Sequence, residues 1–256
     1  MAQPIRLHWS RSKPNFGDWL SPALCEALSG RPVAYAPANR CDLFAVGSLF
    51  DRIPRHRFGR KVDVWGTGSI GPVKPRSSRH RYHALRGPLT AGLILNQQVS
   101  ALGDPGLLAE RLLPERTIAK RYTVGIVPHY KDAGISAVAA LESHFSTSTV
   151  IDVFDPPGRV VATIQSCHFV LSSSLHGLVV AHGLGIPAAW VVLSDAVRGG
   201  GWKFRDHYAA LGVSEPRAFS VQDLLGVDVD GFFGELATPR VDRCKSALES
   251  SFPYKA

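Results

Sequence analysis

Short apolar runs recur along the chain, each closed by a turn signal and followed by a stretch whose apolar positions repeat at helical spacing. In the first half these runs predict strands near Ile5–Trp9, Leu43–Val46, Val62–Trp65 and Tyr82–Leu85, with helices near Trp19–Leu28 and Pro88–Leu95. The charged stretch from Ala109 to Arg121, which contains Pro114, reads as a helix end and a linker. The pattern then restarts. Strands near Thr123–Val127, Thr149–Val153, His168–Ser172 and Ala188–Val192 alternate with helices near Ile135–Glu142, Pro157–Ser166 and Leu175–Leu184, and a last helical run spans Val241–Ser251. Alternation of this kind predicts an α/β fold with parallel sheets. The restart predicts two Rossmann-like lobes, at 1–115 and 116–235, with 236–256 as a C-terminal helix and tail packing back on the first lobe.

Composition narrows the class. The 256 residues are 45% hydrophobic and 20% charged, enough for one large core or two small ones and unlike a disordered or fibrous chain. No apolar run reaches the ~18 residues of a membrane span. The longest, Leu175 to Val192, is interrupted by His176, His182, Gly183, Gly185 and Pro187. The first residues lack a basic segment followed by an apolar one, so a cytoplasmic location is expected. Cys25, Cys41, Cys167 and Cys244 are scattered with no Cys-x-x-Cys pair, which argues against structural zinc and a disulfide framework. The net charge of +8 suits nucleic acid, an anionic membrane face or anionic small substrates. Basic residues are mostly spread singly, which speaks against nucleic acid. The two densest groups, Arg52–Lys61 and Lys74–Arg81, read as solvated loops or as contacts for anionic lipid heads.

In parallel α/β folds ligands sit beyond the carboxyl ends of strands, so motifs there carry the candidate chemistry. Ser172-Ser173-Ser174-Leu175-His176-Gly177 falls where a strand hands over to a helix; hydroxyl caps and free N–H groups at such a point attract an anion, although plain N-capping accounts for serines equally well. Asn15-Phe16-Gly17-Asp18 follows the first strand; Asp18 is a helix cap or a proton acceptor at a cleft rim, and Gly17 permits close backbone approach. In Leu85-Arg86-Gly87-Pro88, Arg86 points outward from a strand end and suits bidentate contact with carboxylate or phosphate, or is a surface arginine. Gly103-Asp104-Pro105-Gly106 is a turn by composition that shapes a cleft floor. His129 and Lys131 follow the first strand of the second half, and Lys203 and Asp206 lie after a glycine triplet. Dinucleotide, Walker, zincin and nucleophile-elbow motifs are absent, and His176 and His182 are too far out of phase to share a helix face as metal ligands. The reading is therefore a cationic site with no metal and no cofactor.

Taken in order, Asn15–Asp18, Trp65-Gly66-Thr67-Gly68, Arg86–Pro88, Gly103–Leu108, Val127–His129, Ser172–Gly177, Gly185-Ile186-Pro187, Lys203–Tyr208 and Phe252-Pro253-Tyr254 resemble the polysaccharide pyruvyltransferase family, most nearly its xanthan ketal type, over almost the whole chain. The resemblance implies a GT-B-like fold with the active site between two lobes, phosphoenolpyruvate as donor and a lipid-linked oligosaccharide as acceptor. It implies transfer of pyruvate onto two hydroxyls of one sugar in an exopolysaccharide precursor at the inner face of the membrane. Many family members carry Arg immediately before the Leu-His pair, where this chain has Ser174, a feature shared with xanthan-type members. The donor's charge is then assigned to Arg86, His129, Lys131 and Lys203 with Ser172, Ser173 and Ser174. His176 is assigned as the acid that protonates the enol and Asp18 as the base for an acceptor hydroxyl, with Asn15, Gly17, Gly68, Gly103, Asp104 and Gly177 shaping the cleft. Two rivals stand beside this reading: a nucleotide-sugar glycosyltransferase on the same fold, disfavoured because His168–Pro187 holds no acid for a ribose, and a non-catalytic module for anionic glycan or lipid heads.

Overall fold

The computed structural model describes residues 3–55, 59–114, 118–226, 232 and 241–255. The lobe boundaries expected at 115/116 and 235/236 lie outside the described residues. Among the described residues ten strands form two five-stranded sheets, and every pairing between them is parallel. The first sheet holds β1 (Ile5–His8), β2 (Val33–Tyr35), β3 (Leu43–Phe44), β4 (Asp63–Trp65) and β5 (Arg81–Ala84) in the order β2-β1-β3-β4-β5. The second holds β6 (Tyr122–Val127), β7 (Ser148–Val150), β8 (Cys167–Ser172), β9 (Ala188–Val192) and β10 (Ala218–Ser220) in the order β10-β9-β8-β6-β7. Read from its other edge, the second order is the same as the first. The two parallel sheets agree with the α/β expectation and with two Rossmann-like units.

Helix α1 (Phe16–Ser29) is closed at its start by Asn15 and at its end by Gly30, whose φ of 62° only glycine adopts without strain. The later helices are α2 (Pro88–Ala91), α3 (Ser136–His144), α4 (Pro157–Gln165), α5 (Leu175–Gly183), α6 (Trp202–Ala210), α7 (Val221–Leu225) and α8 (Asp242–Ser251). A 3-10 segment at Pro105–Leu112 packs against α1, α4, α5 and α8. One hydrophobic cluster runs through both halves, from Leu7 and Phe16 through Leu107 to Val127, Leu175 and Leu248. After the second sheet the chain returns to the first: the Trp65 indole donates to the Leu248 carbonyl at 3.0 Å and the Tyr254 hydroxyl to Asp63 at 3.0 Å.

Several expected elements differ. β2 and β10 escape the sequence pattern because each has three residues, too few to show a period, and neither is prolonged by a pair of β-branched residues as the equally short β7 is by Ile151 and Val153. The helix expected to reach Leu95 is the single turn α2. The chain beyond Gly92 is drawn into strand-like pairing, with Arg76 N–H donating to Leu93 and Leu95 N–H donating to Arg76, at 2.9 and 3.0 Å. The stretch read as a helix end and linker begins inside the 3-10 segment, which is kinked at Leu108.

Candidate functional site

In a parallel sheet ordered 2-1-3, the chain leaves neighbouring strands toward opposite faces, which opens a crevice beyond their carboxyl ends. Both sheets have such a point, between β1 and β3 and between β6 and β8. One pocket of about 510 Å³ takes its walls from the loops after all four strands. Ser10, Ser12, Lys13 and Asn15 come from the loop after β1, and Gly47, Ser48 and Leu49 from that after β3. His129, Tyr130 and Lys131 follow β6, and Ser174, Leu175 and His176 follow β8. Asp18, Arg52, Arg198 and Lys203 complete the charged lining, so five lysines and arginines face a single carboxylate.

The wall on the first-sheet side is the start of α1. Asn15, not Asp18, caps it: the Asn15 side-chain oxygen accepts the Asp18 N–H at 3.4 Å while its amide donates to Asp18 Oδ2 at 2.8 Å. Asp18 is thereby held with one oxygen bonded and the group turned to the pocket. Gly17 lies under the His176 ring; a Cβ there would sit 2.3 Å from Nδ1. The two candidate catalytic side chains, from segments more than a hundred residues apart, therefore share one pocket.

The three serines divide. Ser172 Oγ lies 2.8 Å from the carbonyls of both Val127 and Ser174 and accepts the Ser174 N–H at 3.0 Å. Ser173 donates to the buried Asp132 at 2.6 Å and accepts the His129 N–H at 2.8 Å. Both hydroxyls thus fasten the loops to the sheet, and Ser174 is the serine that lines the pocket. Gly177 is needed for the same packing, since its Cβ would meet Ser172 Oγ at 2.3 Å.

Arg86 departs from the sequence reading. It does not point outward but is fully buried, its Nε donating to Asp206 Oδ2 at 3.1 Å, Nη1 to Ser48 at 3.0 Å and Nη2 to the Ser69 carbonyl. The physical reason lies in the topology: β5 is an edge strand two places from the crevice, and α6 packs on α2, the helix that follows it, which places Asp206 beside Arg86. Gly68 packs flat on the guanidinium, 2.2 Å from Cζ to a notional Cβ. Arg86 reaches the pocket through Ser48 and through its charge. Gly103 and Asp104, expected to shape the cleft, do not line the pocket; Asp104 lies buried behind His176, capping the 3-10 segment by accepting the Gly106 N–H at 3.0 Å, with its other oxygen 3.9 Å from His176 Nε2.

Burial governs the protonation of these groups. It pushes the Asp18 carboxyl up to about 6, with Asn15, Arg52 and Lys203 opposing, and Asp104 to about 6. It lowers His176 to about 3, helped by Lys203, Arg86 and His129, and lowers His129 to about 4. Lys203 falls to about 8 through burial and the nearby Arg86, with Asp132 opposing. The pocket without ligand thus combines a neutral His176 with a lysine close to losing its proton. An anion beside either group opposes its shift. Among the described residues no group of three His, Cys, Asp or Glu could hold a metal ion.

Sequence reasoning missed Ser10, Ser12, Lys13, Ser48, Arg52 and Arg198. The loop after β3 carries a usable signal, Gly47-Ser48 at a strand end; Arg52 and Arg198 carry none, because their approach depends on how the halves meet.

A family model described as polysaccharide pyruvyl transferase matches residues 4–195, a span that holds every pocket residue named above except Arg198 and Lys203. The succinoglycan biosynthesis protein ExoV of Rhizobium meliloti (strain 1021) is 25% identical over 221 residues, covering 84% of this chain and 67% of that protein. An uncharacterized protein, L143, of Acanthamoeba polyphaga mimivirus is 31% identical over 134 residues, covering 50% of this chain and 47% of its own. The alignments span about half the length of the viral protein and about two thirds of ExoV. No solved structure matches the chain.

Proposed function

The chain belongs to the polysaccharide pyruvyl transferase family, and from that premise we propose that it moves pyruvate from phosphoenolpyruvate onto two hydroxyls of one sugar in a lipid-linked exopolysaccharide precursor, releasing phosphate. In this reading the two sheets are the lobes of a GT-B-like enzyme and the pocket between them is the active site. The observation that carries it is the lining: both crevices open into one pocket whose charged groups are five cations and one carboxylate. Such a site suits a small, multiply charged anion beside a neutral polyol. ExoV, by its name, belongs to succinoglycan biosynthesis, which fits an exopolysaccharide product.

The donor's carboxylate and phosphate would be met by Lys203, Lys131 and His129, with Ser174 and the free N–H groups at the start of α5, while Arg86 adds its charge from behind. With the trianion bound, its charge offsets the burial and the Lys203, Arg86 and His129 charges that lower His176, and in this reading the ring takes up a proton as imidazolium. It then protonates the methylene carbon of the enol. A sugar hydroxyl, relieved of its proton by Asp18, adds to the adjacent carbon, and a second hydroxyl displaces phosphate to close the ketal, its proton leaving with the phosphate. Fixed donors around the departing phosphate supply the electrostatic share of catalysis. No described helix is long and apolar enough to cross a membrane. Peripheral contact with the anionic bilayer that carries the acceptor is assigned to the basic face where Arg55, Arg76 and Arg79 line one cavity.

A second reading draws on one observation. Asp195, just past β9, lines an adjoining cavity of about 510 Å³ with Trp190 and with Arg198, which both cavities share, where a nucleotide sugar's ribose could be gripped. Incubation with phosphoenolpyruvate and a panel of lipid-linked or model glycosides separates the two. Phosphate release with a mass gain of one ketal pyruvate on the acceptor is expected, together with stabilisation by phosphoenolpyruvate in a thermal-shift assay. Stabilisation by uridine or guanosine diphosphate sugars, with no pyruvylated product, would replace the proposal with the glycosyltransferase reading.

A further inference from the structure

Asp104 is more than a turn residue. Its Oδ1 caps the 3-10 segment by accepting the Gly106 N–H at 3.0 Å. Its Oδ2 is 3.9 Å from His176 Nε2, within ion-pair range, and both atoms are buried without a hydrogen-bond partner. The two atoms thus face each other at a separation just beyond a direct hydrogen bond. The backbone around Asp104 is placed closely: a Cβ at Gly66 would meet Pro105 at 2.2 Å, and one at Gly103 would meet Leu248 at 2.9 Å. A cap by itself does not require a buried charge, since Asn or Ser caps as well and burying a carboxylate is unfavourable.

We propose that Asp104 is a positioning residue for His176, holding the proton on Nε2 and offsetting the imidazolium charge, so that Nδ1, the nitrogen over Gly17, is the one that hands a proton to substrate. This rests on the proposed role of His176 as the acid. In that step the Nδ1–H bond breaks and the electron pair of the donor's double bond forms the new C–H bond at the methylene carbon. The positive charge left on the neighbouring carbon is shared by its ester oxygen, and His176 is left neutral with Nε2–H directed at Asp104. The other groups around the ring are Lys203 and His207 from α6, Arg86 after β5 and His129 after β6, with Phe16 and Gly17 from α1. The cations among them oppose the imidazolium, and Asp104 is the carboxylate within reach of it. Burial leaves Asp104 ionised above about pH 6, so the carboxylate is available at neutral pH.

Asp104→Asn keeps the cap and removes the charge; Asp104→Ser does the same with a shorter side chain and serves if the amide variant fails to fold. An opposite charge at this range shifts a pKa by about 1–3 units. The basic limb of the kcat–pH profile is therefore expected to move down by about that much, with turnover above it falling ~10–1,000-fold and donor KM little changed. In ¹⁵N-histidine spectra without substrate, His176 is expected as the Nε2–H tautomer in the wild type and as the Nδ1–H tautomer in Asp104→Asn. An unmoved limb with an unchanged tautomer would overturn the proposal, whatever happens to stability. If the wild type forms no ketal from phosphoenolpyruvate, the proposed reaction fails, while the tautomer still decides what Asp104 does.

Discussion

Arg86 and Asp206 link the two halves inside the core, and their removal is a direct test of how the pocket is held. Both side chains are 0% exposed and meet at 3.1 Å. Asp206 also accepts the Thr90 N–H at 3.0 Å and the Thr90 hydroxyl at 2.5 Å. Gly87 admits the contact, since a Cβ there would lie 1.9 Å from the Asp206 carbonyl oxygen. Arg86→Ala leaves a buried carboxylate with only the two Thr90 donors and strands Ser48 at the pocket edge. Breaking a buried pair in this way costs about 3–5 kcal/mol. At ~2–4 °C per kcal/mol for a chain of this size, Tm should fall by roughly 6–20 °C. Arg86→Lys keeps the charge but cannot span Asp206, Ser48 and Ser69 together, so an intermediate loss of ~1–3 kcal/mol is expected. Calorimetric unfolding gives Tm, and titration with phosphoenolpyruvate well below the transition gives donor affinity. A Tm within about 2 °C of the wild type, combined with lost donor binding, would refute the reasoning: Arg86 would then contact the donor and the ion pair would hold nothing together.

Gly17→Ala should leave the fold intact but force His176 off its place, because the new Cβ would lie 2.3 Å from Nδ1; steady-state kinetics should show ~10²-fold lower turnover, the effect of roughly 1 Å misplacement, and an unchanged kcat would disconnect this ring from the chemistry. Lys203, lowered to about 8, loses its ammonium as pH rises through that value, so donor affinity should weaken above pH 8. Binding at that pH should take up protons, because the anion favours the ammonium; calorimetry in buffers of different ionisation heat reads this, and equal uptake in Lys203→Met would sink the assignment.

The alternation of apolar runs and helical stretches determined two parallel sheets with helices between them, and of the residues to which the strand-end rule pointed, Asn15, Asp18, His129, Lys131, Ser174 and His176 line one pocket, whereas Arg86, Ser172, Ser173, Gly103 and Asp104 do not. These are local properties: periodicity is set by neighbours in sequence, and a motif's place after a strand follows from the strand. The three-residue strands β2 and β10 were illegible because too few side chains alternate in them and no pair of β-branched residues prolongs them. What only the tertiary structure decided is which loops face each other and which way a side chain turns. Arg86 turns inward because Asp206, 120 residues away, comes to lie beside it. Ser172 and Ser173 face the protein because Val127 and Asp132 offer acceptors there, leaving Ser174 to the pocket. Asp104, a turn residue by composition, meets His176 only because Gly66 and Gly103 let the 3-10 segment close on the first sheet and on α8. Such pairings depend on shape complementarity between surfaces remote in sequence, and a pattern read along one chain contains no term for the distance between its two halves.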